Sequence, residues 1–228
     1  MRYTVLATDF DGTIAHDGRV EDATVADLRR AREAGIRLVM VTGRELQDLF
    51  NTFADTDIFD LIVGENGAVL YDPLTKKVET LTAGPPPAMI EILEKQSVPL
   101  SVGHSIVATV EPYEHHVLAA IRDLGLGWHV IFNKGSVMAL PSDVTKATGL
   151  APALAAIGAT AAETVGVGDA ENDQAFLKVC GLAVAVDNAL ASVKEIAHLV
   201  TSEARGAGVS ELIGRWLAGE LEAMPQIK

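Results

Sequence analysis

Apolar and polar positions follow two alternating rhythms along the first part of the chain. Tyr3-Thr4-Val5-Leu6-Ala7-Thr8 is a short apolar run with the length of a buried strand. Residues 21–35 place Val25, Leu28, Ala31 and Ala34 at helical spacing, and Gly35 stops the run. Ile36 to Val41 repeats the strand pattern. Residues 45–54 repeat the helical one through Leu46, Leu49, Phe50 and Phe53, and Leu61-Ile62-Val63 is a third short strand. Strands alternating with helices over short loops predict a parallel sheet covered by helices.

From residue 68 the rhythm changes. Ala68 to Pro73 and Lys77 to Leu81 read as strands around a turn, and Pro86 to Gln96 as a helix with its prolines at the start. Ser105 to Val110 reads as a strand and Glu114 to Leu124 as a helix. Trp128 to Phe132 and Val137 to Leu140 form a hairpin around Asn133-Lys134-Gly135-Ser136. The first rhythm then resumes. A helix over Lys146 to Ile157 precedes a buried strand, Thr164 to Val167. A helix at Gln174 to Val179 precedes a fifth strand, Leu182 to Val186. Helical stretches at Ala191 to Ala197 and Val209 to Leu221 follow. The predicted fold class is α/β, a Rossmann-like three-layer core with a parallel sheet. Residues 1–67 and 141–228 supply that core, and residues 68–140 form an α+β unit inserted between its halves.

Open α/β sheets place their ligands beyond the carboxyl ends of the strands, and the polar residues of this chain collect there. The first strand runs into Asp9-Phe10-Asp11-Gly12-Thr13. Two acids on a glycine-containing loop suit Mg²⁺ and a phosphoryl group, since carboxylates hold the hard cation and loop N–H groups face the anion. Alone, the same residues also read as a solvated acidic turn. A second strand then ends on Gly168-Asp169-Ala170-Glu171-Asn172-Asp173. If both strands are central, four acids converge at one sheet edge. Clustered carboxylates repel one another and are costly to desolvate, and a divalent cation is the simplest compensation.

Composition narrows the partners. A net charge of −13 argues against a general affinity for nucleic acid or an anionic membrane, both of which require a basic face. It still permits an anionic small substrate held by a local cluster of cations and loop amides. With 49% hydrophobic residues the chain can bury a sizeable core, and no apolar run reaches the ~20 residues of a membrane span. The opening Met-Arg-Tyr-Thr runs directly into a strand with no signal-peptide pattern, and the single cysteine, Cys180, suits a reducing compartment. The expected location is therefore cytoplasmic, and the expected state a monomer or homodimer.

The order Asp-Phe-Asp-Gly-Thr, Val-Thr-Gly-Arg, a lysine, then Gly-Asp-Ala-Glu-Asn-Asp resembles the haloacid dehalogenase superfamily of phosphotransferases, over the whole chain. The insert between the second and third motifs resembles the cap of its Cof-like branch. The compact cap is similar to that of archaeal-type phosphoglycolate phosphatases and small sugar-phosphate phosphatases. The resemblance implies Asp9 as the nucleophile and Asp11 as the general acid and base. It implies Mg²⁺ held by Asp9, the Asp11 carbonyl and Asp169, with Asp173 a direct or indirect partner. Thr42 and Gly43 would meet the phosphoryl oxygens, and Lys146 would neutralise charge on them. A carboxylate attacking a phosphate dianion needs cations on both partners, so the chemistry asks for the same residue types. Lys134 competes with Lys146 for the lysine role, and Ala170 stands where the family often has glycine.

Other polar residues have both a chemical and a structural reading. Arg44 can orient substrate or brace its turn. Asn66 and Gly67 read as a hinge turn, and Asn172 as a partner of Lys146 or of the phosphoryl group. Asp187-Asn188-Ala189 reads as a helix cap. His115 and His116 read as a solvated face, Glu171, His16 and Asp17 as exposed. His104, Ser105 and Asn133 are candidate substrate contacts. The function implied is hydrolysis of a small-molecule phosphate ester. A phosphomutase shares every motif of the core and is the alternative, with a non-catalytic phosphate-binding module behind it. Dehalogenation is disfavoured because it needs no leaving-group acid at Asp11.

Overall fold

The structure, a computed structural model, describes residues 2–133 and 135–223. In chain order, the strands are β1 Val5–Thr8, β2 Ala15–His16, β3 Arg19–Val20, β4 Arg37–Val41, β5 Leu61–Gly64, β6 Val69–Asp72 and β7 Lys77–Thr80. They continue with β8 Ser101–Val102, β9 Val107–Val110, β10 Trp128–Asn133, β11 Ser136–Pro141, β12 Thr164–Gly168, β13 Leu182–Ala185 and β14 Leu199–Val200. The helices are α1 Asp22–Glu33, α2 Leu46–Thr52, α3 Pro87–Lys95, α4 Glu114–Asp123, α5 Lys146–Ala156, α6 Gln174–Leu177, α7 Ala191–Lys194 and α8 Arg205–Leu217.

Among the described residues, eight strands form one sheet in the order β14-β13-β12-β1-β4-β5-β6-β7. The first six are parallel. Their residues are apolar on both faces because helices cover both sides: α1 packs on α8, and α5 on α6. Val5, Leu6, Ala7, Leu38, Val39 and Val165 are all fully buried. From β1 the chain winds outward through β4 and β5, and on its return winds outward the other way from β12. The order therefore reverses between β1 and β12, where such sheets open a crevice at their carboxyl edge.

The second sheet, β10-β11-β9-β8, is antiparallel. With α3 and α4 it encloses a separate apolar cluster that includes Met89, Leu93, Val107, Val117 and Ala139. Residues 68–80, expected in the inserted unit, instead extend the main sheet, because β6 returns antiparallel beside β5 and β7 beside β6. The reason lies in the turn. Glu65, Asn66 and Gly67 all have left-handed backbone, with φ of 50°, 55° and 111°, and reverse the chain within three residues.

Glu65 also ties the two sheets together. Its carboxylate is fully buried and accepts the N–H groups of His104, Ser105 and Ile106 at 2.9, 2.8 and 3.1 Å. Burial pushes the carboxyl pKa up, and the Ser105 and His104 amides pull against that. Glu65→Gln should cost about 1–3 kcal/mol, because one amide oxygen cannot serve three donors and the new NH₂ faces them. Thermal unfolding should shift down by about 2–4 °C per kcal/mol, with faster amide exchange at 104–106. Unchanged exchange there would mean that the carboxylate is not what holds this segment.

Elsewhere the elements fall close to their predicted places. The short β2–β3 hairpin and the strands β8 and β14 are too brief to leave a pattern. The last helix starts at Arg205, not at Val209, since Gly206, Ala207 and Gly208 carry no apolar periodicity. No helix among the described residues is long and apolar enough to cross a membrane.

Candidate active site

The carboxyl ends of β1 and β12 lie side by side, and Asp9 N–H continues their ladder to the Val167 carbonyl at 3.0 Å. Alternation beyond β1 puts Asp9 and Asp11 on one side and Phe10 on the other. Phe10 is fully buried, packed on Phe53 with ring centroids 5.6 Å apart. The aromatic anchor turns both acids toward the crevice.

From β12 come Asp169 and Asp173, both buried. One Asp173 oxygen accepts the N–H groups of Asp169 and Ala170, each at 2.9 Å, which closes the loop. The other accepts Lys146 Nζ at 2.5 Å. Lys146 opens α5, where Thr145 and Thr148 form a reciprocal capping box. Helix α5 sits hard against the β5–β6 turn. A Cβ on Gly149 would stand 2.4 Å from Gly67 Cα, so glycine at both positions sets how far Lys146 reaches.

Lys146 Nζ also donates to Asp9 Oδ1 at 2.5 Å, and its side chain is 1% exposed. Ligand oxygens of Asp9, Asp169 and Asp173 all lie within 4.8 Å of one another. One ammonium therefore faces three buried carboxylates. Burial and then the Asp173 charge push the Asp9 carboxyl up to about 8, against the pull of Lys146. Burial alone would depress Lys146, but Asp173 and Asp9 more than reverse it and hold its ammonium above the usual range. Thr13 Oγ1 donates to Asp169 Oδ1 at 3.1 Å. An all-oxygen, charge-rich set of this kind suits a hard divalent cation.

Asp11 is gripped by Arg44, whose Nε and Nη2 donate to its two oxygens at 2.7 and 2.8 Å. Arg44 Nη1 reaches Asp48 and Thr52, and the guanidinium lies over Phe10. Arg44 is thus committed to the first-motif loop. Thr42 is fully buried, and its hydroxyl oxygen accepts the Arg44 N–H at 3.1 Å, leaving the hydroxyl proton to donate. Gly43 lines the crevice beside Arg44.

Above these residues lies a cavity of about 900 Å³. Asp9, Asp11, Gly43 and Asp169 line it from the main sheet, and Phe132, Asn133, Ser136 and Met138 from the second. Asn133 therefore stands where a substrate contact was expected. His104 and Ser105 do not; their amides serve Glu65. Asn172 donates to Asn66 Oδ1 at 2.9 Å, and Asn66 Nδ2 contacts Met138 Sδ at 3.4 Å, so this pair braces the fourth-motif loop against the second sheet. Asn188 caps no helix of its own; its side chain spans from the Gly12 carbonyl to the Arg205 N–H. His115 is exposed and His116 bonds Gln96. Lys134 lies outside the described residues. Sequence reasoning missed Glu65, the Arg44–Asp11 pair and Asn188. An acid directly after a buried strand was a signal for Glu65, whereas the two others join residues far apart in the chain.

The family model for haloacid dehalogenase-like hydrolases matches residues 6–117 and 118–213. A phosphoglycolate phosphatase of Methanothermobacter thermautotrophicus is 31% identical over 222 residues, covering 93% of this chain and 98% of that protein. One from Methanoculleus marisnigri is 28% identical over 230 residues, covering 92% and 95%. A solved haloacid dehalogenase-like hydrolase from Bacteroides thetaiotaomicron superposes with a TM-score of 0.79 at 21% identity, covering 94% of this chain and 99% of that one.

Proposed function

The chain belongs to the haloacid dehalogenase-like hydrolase family, and from that premise we propose that it is a Mg²⁺-dependent phosphatase. Its substrate is a small phosphorylated metabolite, phosphoglycolate or a sugar phosphate, and Asp9 is transiently phosphorylated. The observation that carries this reading is the buried Lys146 bridge from Asp173 to Asp9, the acid that lines the cavity.

In this reading Asp9 attacks phosphorus in line with the ester oxygen. The P–O bond to the alcohol breaks, and protonated Asp11 gives its proton to the departing alkoxide. Water then attacks the phosphorylated Asp9 and loses a proton to Asp11. Phosphate leaves and the Asp9 carboxylate is restored. Lys146 stays charged throughout and neutralises Asp9 and the phosphoryl oxygens. Thr42 and Gly43 offer donors to the same oxygens. Arg44 sets the direction of Asp11 and must yield one bond when Asp11 turns to the leaving group.

Asp9, the Asp11 carbonyl and Asp169 would hold the cation. Asp173, with both oxygens engaged, braces Lys146 and the loop. When bound, the cation keeps Asp9 ionised and shares the charge of the phosphoryl group. Residues 2–81 and 141–223 act as the core in this reading. The second sheet with α3 and α4 acts as the cap that excludes water and selects the alcohol. Partners are small-molecule phosphate esters in the cytoplasm.

A panel of phosphoglycolate, sugar phosphates and p-nitrophenyl phosphate, assayed with Mg²⁺ and with EDTA, tests the reading. Release of inorganic phosphate that requires Mg²⁺ is expected. No release from any ester would overturn it, and transfer of phosphate to a second sugar without release would make the protein a phosphomutase.

A further inference from the structure

The cavity is lined by more acids than the proposed chemistry uses, and Arg44 and Arg205 line it with them. Arg44 spends its guanidinium on Asp11, Asp48 and Thr52. Lys146 is held between Asp9 and Asp173 below the floor. Arg205, at the start of α8, lines the cavity as Arg44 does. Among the described residues its guanidinium makes no ion pair or side-chain hydrogen bond. A half-buried arginine on a wall rich in carboxylates, engaging none of them, has its five donors available for a ligand.

The backbone fixes this residue closely. Arg205 has φ 52°, left-handed and unfavourable for a side-chain-bearing residue. Its N–H donates to Asn188 Oδ1 at 2.7 Å, and Asn188 Nδ2 donates to the Gly12 carbonyl at 2.8 Å. One carboxamide thus links Arg205 to the loop that carries Asp9 and Asp11. The next residue, Gly206, sits so close to α1 and to the residue after the first motif that a Cβ there would stand 2.4 Å from Thr24 Oγ1 and 3.0 Å from the Ile14 carbonyl. Glycine would relieve the strain at 205 at no steric cost. Strained backbone of this kind persists where the surroundings over-determine it and is found at ligand sites.

We propose that Arg205 binds a second anionic group, a carboxylate or phosphate on the alcohol portion of the substrate. This inference rests on the phosphatase reading and deepens it. It favours phosphorylated hydroxy acids and bisphosphates over neutral sugar phosphates. The planar guanidinium pairs two-pronged with either anion. It also answers a requirement set by the molecule's charge of −13, since an extra negative group entering an acidic cavity needs a local cation.

The test compares phosphoglycolate, ethylene glycol bisphosphate and ethyl phosphate, which share a two-carbon alcohol portion and differ in its charge. Initial rates are measured on the wild-type chain, Arg205→Gln and Arg205→Lys, with thermal unfolding to establish that each variant is folded. Arg205→Gln should lower kcat/KM for the preferred charged ester by about 10- to 100-fold, mainly through KM, and change ethyl phosphate by less than about twofold. Arg205→Lys should recover part of the loss. Whichever charged ester shows the larger loss identifies the carboxylate or the phosphate as the group held. Equal losses on charged and uncharged esters, or none on either, would overturn the role of Arg205 while the phosphatase reading stands. Hydrolysis of none of the three, nor of p-nitrophenyl phosphate, by the wild-type chain would overturn both.

Discussion

Asp9→Asn is expected to lower turnover by at least about 10⁴-fold, because the amide cannot attack phosphorus and no neighbouring group replaces it. The same change should make the metal-free protein more stable above neutral pH. In the folded chain Asp9 takes up a proton with a pKa of about 8, against 3.8 for the unperturbed group. A carboxyl whose folded pKa is raised contributes stability that is fully present below the unfolded value. That contribution is lost as pH rises through the folded value. Between about pH 4 and pH 8, unfolding in EDTA should therefore release a proton from Asp9, and wild-type stability should decline relative to Asp9→Asn. The gap should widen with pH and level off beyond about 8. Added Mg²⁺ should reverse the order, since a cation that binds the folded wild type stabilises it and Asn offers it less. Thermal unfolding of both proteins across pH, with and without Mg²⁺, reads all of this. A gap that does not change with pH would mean that Asp9 is ionised in the metal-free site. Near-normal turnover by the variant would remove Asp9 from the chemistry.

The contrast between what the residues announced and what they hid follows from distance along the chain. Asp9 with Asp11, and Asp169 with Asp173, sit in local strings at the ends of apolar runs. Their convergence needed only that both strands be central, and β1 and β12 are adjacent in the sheet. Lys146 followed from the resemblance, which expects a lysine before a helix ahead of the fourth motif, while the residues alone left Lys134 beside it. Arg44 was ambiguous because its partner, Asp11, belongs to a different strand end. The hairpin β6–β7 was recognised as two strands but given the wrong neighbours. Strand periodicity tells which face is buried and not which edge is paired. Glu65 was hidden inside an apparent turn, because its three donors arrive from residues 104–106. Arg205 carries no local signal at all: its significance lies in the charges it does not meet and the left-handed backbone it keeps.

Lys146→Met should have the largest effect on the fold itself. In the present arrangement each of two buried carboxylates lies 2.5 Å from the ammonium, and a third, Asp169, lies within the same small cluster. Met fills most of the volume but leaves these acids facing one another. Removing one partner of a buried ion pair costs about 3–5 kcal/mol, chiefly because an uncompensated charge stays behind. At about 2–4 °C per kcal/mol the unfolding midpoint in EDTA should fall by roughly 6–20 °C. The cause can be separated from lost packing by a second change. Asp173→Asn removes one of the stranded charges, so Lys146→Met with Asp173→Asn should be less destabilised than the two single effects added together. Additive losses would place the cost in packing rather than charge. Mg²⁺ should recover part of the stability of Lys146→Met, because a divalent cation can answer the same carboxylates. Turnover should still fall by about 10²- to 10³-fold with Mg²⁺ saturating, since an oriented cation that neutralises the transferring phosphoryl group has been lost. Recovery of stability without recovery of turnover would assign Lys146 two separable tasks: balancing the resting cluster and stabilising the transition state.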